Sequence, residues 1–496
     1  MQKNILLNKA IVIGSGFAGL SSAAYLAKAG LDVTVIEKNE DLGGRARKFQ
    51  AKGFTFDMGP SWYWMPEIFD NFFSDFDFKT QDFYDLIKLD PGFKIVFKES
   101  TMEIPSNWED ICLLFDKYEE NGAVKLNNFM DDAEKKYSIG LRFLYNSPGL
   151  SITELLKKDV LFNANKLQLL TSYRKHIRKY FSNEKLISLL EFPVLFLGTS
   201  AKSAPALYSL MAYSGIKQGT FYPIGGFARV IESMSEICKQ MGVKFFTNEQ
   251  VQKINIIGDR VTSISTAKQN LKTDFVVAAA DYAHVESKLI EPKFRNYSLS
   301  YWESREFSPS ALLFYIGIDK KLKNLEHHTL FFDEDMEQLT TEIYETKVWP
   351  KKPLFYTCCP AKTEEKLAPK GKENLFILIP ISAGLEDTEE LREKYFRITI
   401  ERLEKYCQQK IVENIEYKKS YCIKNFEEDY FAYKGNAYGL ANTLLQTANL
   451  KPRIQNRKVK NLFYSGQLTV PGPGVPPSII SGQLVAEEII KSIANK

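Results

Sequence analysis

Gly14-Ser15-Gly16-Phe17-Ala18-Gly19 is a G-x-G-x-x-G run, a spacing that can bring backbone N–H groups against a pyrophosphate. The first glycine permits a tight turn, the second lets the backbone approach the phosphates, and the third lets a helix pack closely on a strand. The pattern alone is weak, and its context makes it informative. Ala10-Ile11-Val12-Ile13 reads as a strand buried on both faces, Leu20 to Lys28 as a helix closed by Gly30, and Asp32 to Ile36 as a second buried strand. That is one right-handed βαβ unit with a helix N-terminus facing the anion. Glu37 ends the second strand, where a carboxylate can accept both ribose hydroxyls of an adenosine. Phe17, Ala18 and Lys38 fall within the same dinucleotide site.

Two further groups carry site chemistry. Gly43-Gly44-Arg45 offers a second close backbone approach and a cation for a pyrophosphate, and Gly59-Pro60-Ser61 follows after a predicted strand. Near the C-terminus, Gly466 and then Pro471-Gly472-Pro473-Gly474-Val475-Pro476 force irregular backbone just before a helix expected over 478–491. The partial positive charge of that helix N-terminus would favour negative charge beside it, unless the run is an ordinary proline-rich helix start. No Ser-His-Asp arrangement, metal box or general base is legible. His327–His328 is the one histidine pair, and neighbouring side chains point to opposite faces of a strand or splay on a helix, so no metal site is expected there. The six cysteines form no C-x-x-C pair and read as reduced thiols of a cytosolic protein; Cys358–Cys359 reads as two partly buried thiols on a strand.

These residues need elements to hold them. Strands are expected over 243–246, 251–257, 260–265 and 274–279, with a hairpin turn at Gly258-Asp259 and a last strand over 461–464. Residues 125–202 read as mostly helical, 388–409 as an amphipathic helix, and 300–356 as short strands and loops. The absence of a clean linker in 496 residues suggests two domains woven together by several chain crossings. A net charge of +4 argues against nucleic acid as a partner. Aromatics make up 13 %, enough for a Phe-rich core and for an apolar substrate tunnel. The uncharged stretch from Ala10 to Ala27 is read as the βαβ unit, not as a signal peptide or membrane span. Basic and apolar residues alternate over 155–197 (Lys157, Lys158, Lys166, Arg174, Lys175, Arg178 and Lys179), which suits contact with an anionic bilayer or a solvated face over a core helix.

A Gly-Gly-Arg turn and a strand directly after a dinucleotide fingerprint resemble the flavoprotein superfamily of amine oxidases and protoporphyrinogen oxidase. Within it, Gly43-Gly44-Arg45-Ala46 and Phe56-Asp57-Met58-Gly59-Pro60-Ser61 resemble the bacterial carotenoid (phytoene) desaturases. So do Tyr222-Pro223-Ile224-Gly225-Gly226, the run from Phe275 to Asp281, and Asn461 to Glu488. Gly466-Gln467-Leu468-Thr469 departs from the pattern, which has a second small residue there. The resemblance implies FAD as cofactor, held by the residues above together with Val251. It implies an α/β fold: a Rossmann-like FAD-binding domain (1–85, 216–290 and 456–496) interwoven with a mixed α+β substrate domain (291–455) and a helical part that contacts substrate and membrane (86–215). It also implies a long apolar polyene as substrate, with Trp62 and Trp64 along its tunnel. The reaction would be hydride transfer to flavin, oxygen or a quinone the final electron acceptor, and the inner face of the cytoplasmic membrane the place of action. The rivals within the branch are a hydroxycarotenoid desaturase, a C30 desaturase and a carotenoid cis–trans isomerase. From other classes come a prenyl-lipid-binding chaperone on the same fold and a soluble amine oxidase.

Overall fold

The computed structural model describes residues 8–150 and 167–495. Strand β1 (Lys9–Ile13), helix α1 (Phe17–Lys28) and strand β2 (Asp32–Ile36) form the expected βαβ unit. Helix α2 (Gly226–Gln240) follows much later, with strands β3 (Lys244–Phe246) and β4 (Phe275–Ala278). Next come β5 (Ser310–Ile318), β6 (His328–Phe332), β7 (Phe355–Cys358) and β8 (Glu373–Ile381). The chain closes with β9 (Leu462–Tyr464) and helix α3 (Val475–Ala494).

Two sheets organise the molecule. The first is parallel, in the order β9-β4-β1-β2-β3, so three distant chain segments meet in one layer. β1 sits at its centre, with Ala10 beside Val33 on one side and Phe275 on the other. Its strands are near-continuous apolar runs because both faces are covered, one by α1 packed against α2 and α3, the other by Val251, Ile254, Val261 and Ile264. Small residues let α1 and α3 approach closely. The Ser21 hydroxyl donates to the Ile479 carbonyl at 2.7 Å, the Ser22 hydroxyl donates to the Gly482 carbonyl at 3.1 Å, and a methyl on Gly482 would lie 2.5 Å from the Ala18 carbonyl oxygen. Gly19 has the same function at the loop: a Cβ there would stand 2.0 Å from the Gly14 carbonyl oxygen.

The second sheet has seven strands, in the order Ile415–Tyr421, β5, β8, β7, β6, Phe93–Phe97, Thr101–Ile104. β5 and β8, nine residues each, are buried along nearly their whole length and pair antiparallel from Ser310↔Ile381 to Ile318↔Glu373. Short strands and loops are expected over 300–356 and no element over 373–381, because a strand covered on both faces shows no alternation to read.

Other expectations need adjustment. Among its described residues the 125–202 stretch carries one long helix, Gly122–Asn146, and short ones at Tyr173–Ile177 and Glu184–Glu191. α3 starts at Val475, three residues earlier than expected, because Pro476 and Pro477 occupy its first turn, where a missing N–H costs nothing. No helix among the described residues is long and apolar enough to cross a membrane.

Asp57 fastens the first sheet's covering helix to the site. Its buried carboxylate accepts from the backbone N–H of Phe227 (2.8 Å) and Ala228 (3.3 Å) at the start of α2. Burial pushes its pKa from 3.8 up to about 7, against the pull of those two donors. The folded chain therefore holds a proton that the unfolded chain releases near pH 4. The stability tied to that proton is present below about pH 4 and is lost as pH rises through about 7. Asp57→Asn removes the titration while keeping an acceptor for Phe227. Its melting temperature relative to wild type is expected to climb between pH 5 and pH 8. Parallel pH profiles of the two proteins would show that the carboxyl is already ionised in the fold.

Candidate functional site

The C-terminal ends of β1, β2, β4 and β9 open onto a cavity of about 400 Å³, whose opposite wall comes from the second sheet. This is the edge at which open α/β sheets place ligands. Gly14, Gly16, Phe17 and Ala18 line it after β1, and Glu37 and Lys38 after β2. Gly43, Gly44 and Arg45 line it too, with Gly59, Pro60, Ser61 and Val251, and from the C-terminal segment Gly466, Gly474, Val475 and Pro476. Gly19 alone of the expected glycines stands behind the wall, where its close packing lets α1 start at the cavity. Trp62 and Trp64 also reach the lining.

The local geometry suits a dinucleotide. A Cβ on Gly16 would meet nothing within 4 Å, so this backbone faces open space, and Gly44 comes up beside it. Glu37 is buried at the end of β2. Its carboxylate accepts from the Ser15 N–H (3.0 Å) and hydroxyl (2.7 Å) on one oxygen and from the Asn39 N–H (2.9 Å) and side-chain amide (3.0 Å) on the other. The acid thus ties the glycine loop to the strand end while it borders the cavity. Arg45 lies half-buried over the Tyr430 ring at 4.9 Å and donates through Nη2 to the Asn436 carbonyl (3.2 Å). Its Nε has no partner, and burial lowers its pKa, so this guanidinium is a cation short of an anion. The N-terminus of α3 borders the same space at Val475 and Pro476. An orphaned cation, bare glycine backbone and a helix N-terminus around one cavity fit the pyrophosphate and ring of FAD.

Sequence reasoning missed the opposite wall. Ala311 and Leu313 of β5, Phe376 and Leu378 of β8 and Tyr356 of β7 all face the cavity. Leu313, Leu378 and Tyr356 lie side by side across the three strands. Asp281, after β4, lines it as well; its carboxylate accepts from the N–H groups of His284 (3.0 Å) and Tyr433 (3.2 Å), and burial pushes its pKa up to about 6. Only the period-two positions of β5 and β8 could have pointed to the wall, and apolar residues on both faces hid them. The departure at Gln467 is accommodated: it lines the cavity and donates to the Asn436 side-chain carbonyl at 3.2 Å.

The two histidines do not diverge as expected. Their ring centroids are 4.5 Å apart, and one donor atom from each lies within 4.8 Å of the other and of the Cys358 thiol. His327 precedes the first residue of β6, so strand alternation does not govern it. Each ring is engaged through Nδ1, His327 with the Thr363 hydroxyl (2.7 Å) and His328 with the Tyr356 hydroxyl (2.6 Å). Burial pushes His327 down to about 3 and His328 well below the ordinary range, and it raises the Cys358 thiol to about 12, so all three are neutral. Cys358 and Cys359 are buried outright, not partly.

The basic stretch is partly satisfied within the chain. Arg174 makes a two-pronged contact with Glu191 (2.8 and 2.9 Å) and Arg178 one with Glu184 (2.8 Å twice). Lys157, Lys158 and Lys166 lie outside the described residues.

Known proteins share this architecture. The family model described as flavin containing amine oxidoreductase matches residues 17–490. A carotenoid 3,4-desaturase of Haloarcula japonica is 36 % identical over 97 % of this chain and 98 % of its own. A zeta-carotene-forming phytoene desaturase of Myxococcus xanthus is 27 % identical over 97 % and 93 %, and a 4,4'-diapophytoene desaturase of Staphylococcus aureus is 29 % identical over 98 % and 99 %. Among solved structures, an oxidoreductase from Methanosarcina mazei superposes with a TM-score of 0.59 at 16 % identity, covering 98 % of this chain and all of that one. With relatives of this identity along its whole length, and a cavity whose donors suit the cofactor, the chain belongs to the flavin containing amine oxidoreductase family, in its carotenoid desaturase branch, and is an FAD-dependent oxidoreductase acting on CH–CH bonds.

Proposed function

We propose that the chain desaturates a carotenoid polyene laid along the second-sheet wall, with FAD along the first. The observation that carries this reading is the contrast between the two walls. The first-sheet side offers glycine backbone, Glu37 and Arg45, whereas the facing wall offers Ala311, Leu313, Leu378, Phe376 and Trp62. An apolar chain without a polar handle binds through burial along such a surface. The segments 1–85, 216–290 and 456–496 would then hold the cofactor, and 86–215 and 291–455 the substrate.

FAD, when bound, supplies the two-electron oxidant for a C–H bond flanked by alkenes. The chain's own residues hold the chosen bond in register and exclude water. Phytoene is the substrate that the motifs favour. The 36 % identity to a carotenoid 3,4-desaturase, against 27 % to a phytoene desaturase, supports a second reading in which a 3,4 bond reacts. The test is anaerobic incubation of the FAD-loaded protein in liposomes with phytoene, a C30 analogue and an acyclic hydroxylated carotenoid. Flavin bleaching with a product two mass units lighter is expected from one of them. A changed isomer ratio without loss of mass would make the protein an isomerase. A colourless protein that binds the polyene unchanged would make it a carrier. Reoxidation by oxygen or by a quinone would identify the electron acceptor.

A substrate of this kind lives in a bilayer, so we place the protein at the inner face of the cytoplasmic membrane. Leu170 and Leu445, 92 % and 77 % exposed, support this reading. Their segments are bound together by the Ala206 N–H donating to the Thr171 carbonyl (2.8 Å) and by the Tyr208–Thr447 hydroxyl pair (2.8 Å). The exposed Lys175 and Lys179 follow closely in sequence. Flotation with anionic liposomes is expected to weaken as salt rises and to fall in a Leu170→Asp, Leu445→Asp double variant whose FAD content is intact. Equal flotation of variant and wild type would remove this surface from the membrane reading.

A further inference from the structure

Desaturation takes two hydrogens from neighbouring carbons, one as hydride and one as a proton, and the proton needs an acceptor. The sequence shows no base. The fold assembles one candidate from residues 61, 62, 328 and 356. On the paired strands β6 and β7, His328 stands opposite Cys358, and Tyr356 is the next residue along on the same face. The Tyr356 hydroxyl lies 2.6 Å from His328 Nδ1 and donates to the Ser61 hydroxyl oxygen at 3.0 Å. The Trp62 indole lies flat on the imidazole, with centroids 4.2 Å apart and planes at 12°. Tyr356, Ser61 and Trp62 line the cavity, and His328 stands behind them with no exposed surface.

The geometry points to Tyr356 as the group that takes the proton from the polyene and His328 as the positioning residue that receives the tyrosine's own proton. The inference rests on the desaturase reading above. Once a hydride has left it, the carbon skeleton would carry a positive charge next to the C–H that must break. That bond's electron pair becomes the second bond of the new alkene. Its proton moves to the Tyr356 oxygen while the hydroxyl proton, turned from Ser61, moves to the unprotonated Nδ1 of the Nε2–H tautomer, leaving a neutral tyrosine and an imidazolium. A C–H beside a carbocation is acidic enough for a weak base. The groups facing His328 are Trp62, Tyr356, Cys358 and His327, none of them charged, and Nε2 has no protein partner. Burial therefore keeps the ring neutral and ready at rest. The indole face supplies the compensating attraction once the ring is charged.

The test is a set of single-turnover and steady-state measurements on the FAD-loaded wild type and on Tyr356→Phe and His328→Gln. All three are assayed in liposomes with whichever of phytoene, the C30 analogue and the hydroxylated carotenoid the wild type oxidises. Both variants are expected to lose kcat by roughly 100-fold or more, the size of a missing acid–base catalyst. FAD content, KM and the absorbance shift of the bound polyene should stay near wild type. The wild-type rate should slow in D2O, and Tyr356→Phe should lose that solvent effect. Tyr356→Phe removes one atom, so it keeps the test alive if His328→Gln fails to fold. Retention of kcat within threefold by both variants would overturn the inference, as would one equivalent of metal bound by wild type and lost in His328→Gln. A wild type that oxidises no polyene would instead overturn the desaturase reading.

Discussion

Glu37→Ala is expected to strip the protein of FAD. The carboxylate holds the Ser15 N–H and hydroxyl on one oxygen and Asn39 on the other, at the lip of the cavity. Truncation removes a charged acceptor for the adenosine ribose. It also leaves the Ser15 and Asn39 donors buried without their partner and loosens the loop that carries Gly14 and Gly16. A charge-assisted acceptor shared by several donors accounts for about 2–4 kcal/mol, or roughly 30- to 1000-fold in affinity. Glu37→Gln should lose much of the same affinity, because its amide nitrogen would face donors where an acceptor is needed. Flavin absorbance retained after exhaustive dialysis, together with a fluorescence titration of the apoprotein, measures both effects. A full flavin spectrum in Glu37→Ala after dialysis would place the ribose elsewhere.

Trp62→Ala should leave FAD in place and spoil the register of the substrate. Trp62 lines the cavity, and its ring contacts Trp64 (5.3 Å), Phe93 (5.5 Å), Tyr356 (5.4 Å) and Phe192 (5.7 Å) as well as the His328 stack. Removing it opens space in the wall against which the polyene lies, and small misplacements of a reacting bond are costly in rate. Slower bleaching of the flavin by the polyene is expected, with products of shorter conjugation. Trp64 is a poorer probe. Its indole N–H donates to the Thr220 hydroxyl at 3.0 Å, and it packs where a Cβ on Gly215 would come within 2.6 Å, so Trp64→Ala should cost about 3–5 kcal/mol of stability as well. Product absorbance and flavin-reduction rates in liposomes decide the matter. Wild-type kinetics and products in Trp62→Ala would remove the residue from the substrate path.

The sequence by itself determined the cofactor half of the molecule. Gly14, Gly16, Gly19 and Glu37 lie within one βαβ unit, where a turn, a close approach and a strand end are set by residues a few positions apart. Local spacing then carries the geometry, and β1, α1 and β2 appear where their apolar runs put them. The C-terminal Pro-Gly run was legible for the same reason, since restricted backbone is written in residue type. The tertiary structure alone decided the substrate half. β5 and β8 are buried on both faces, so alternation could not say which side chains look into the cavity. Spacing alone set the adjacent histidines apart, on a strand or on a helix, whereas the fold starts the strand at His328 and brings Tyr356 and Trp62 to it. Arg174 and Arg178 looked like free charges until packing supplied Glu191 and Glu184. Contacts between residues hundreds of positions apart leave no periodic trace in either partner, because each side chain answers to a neighbour that only the folded chain supplies.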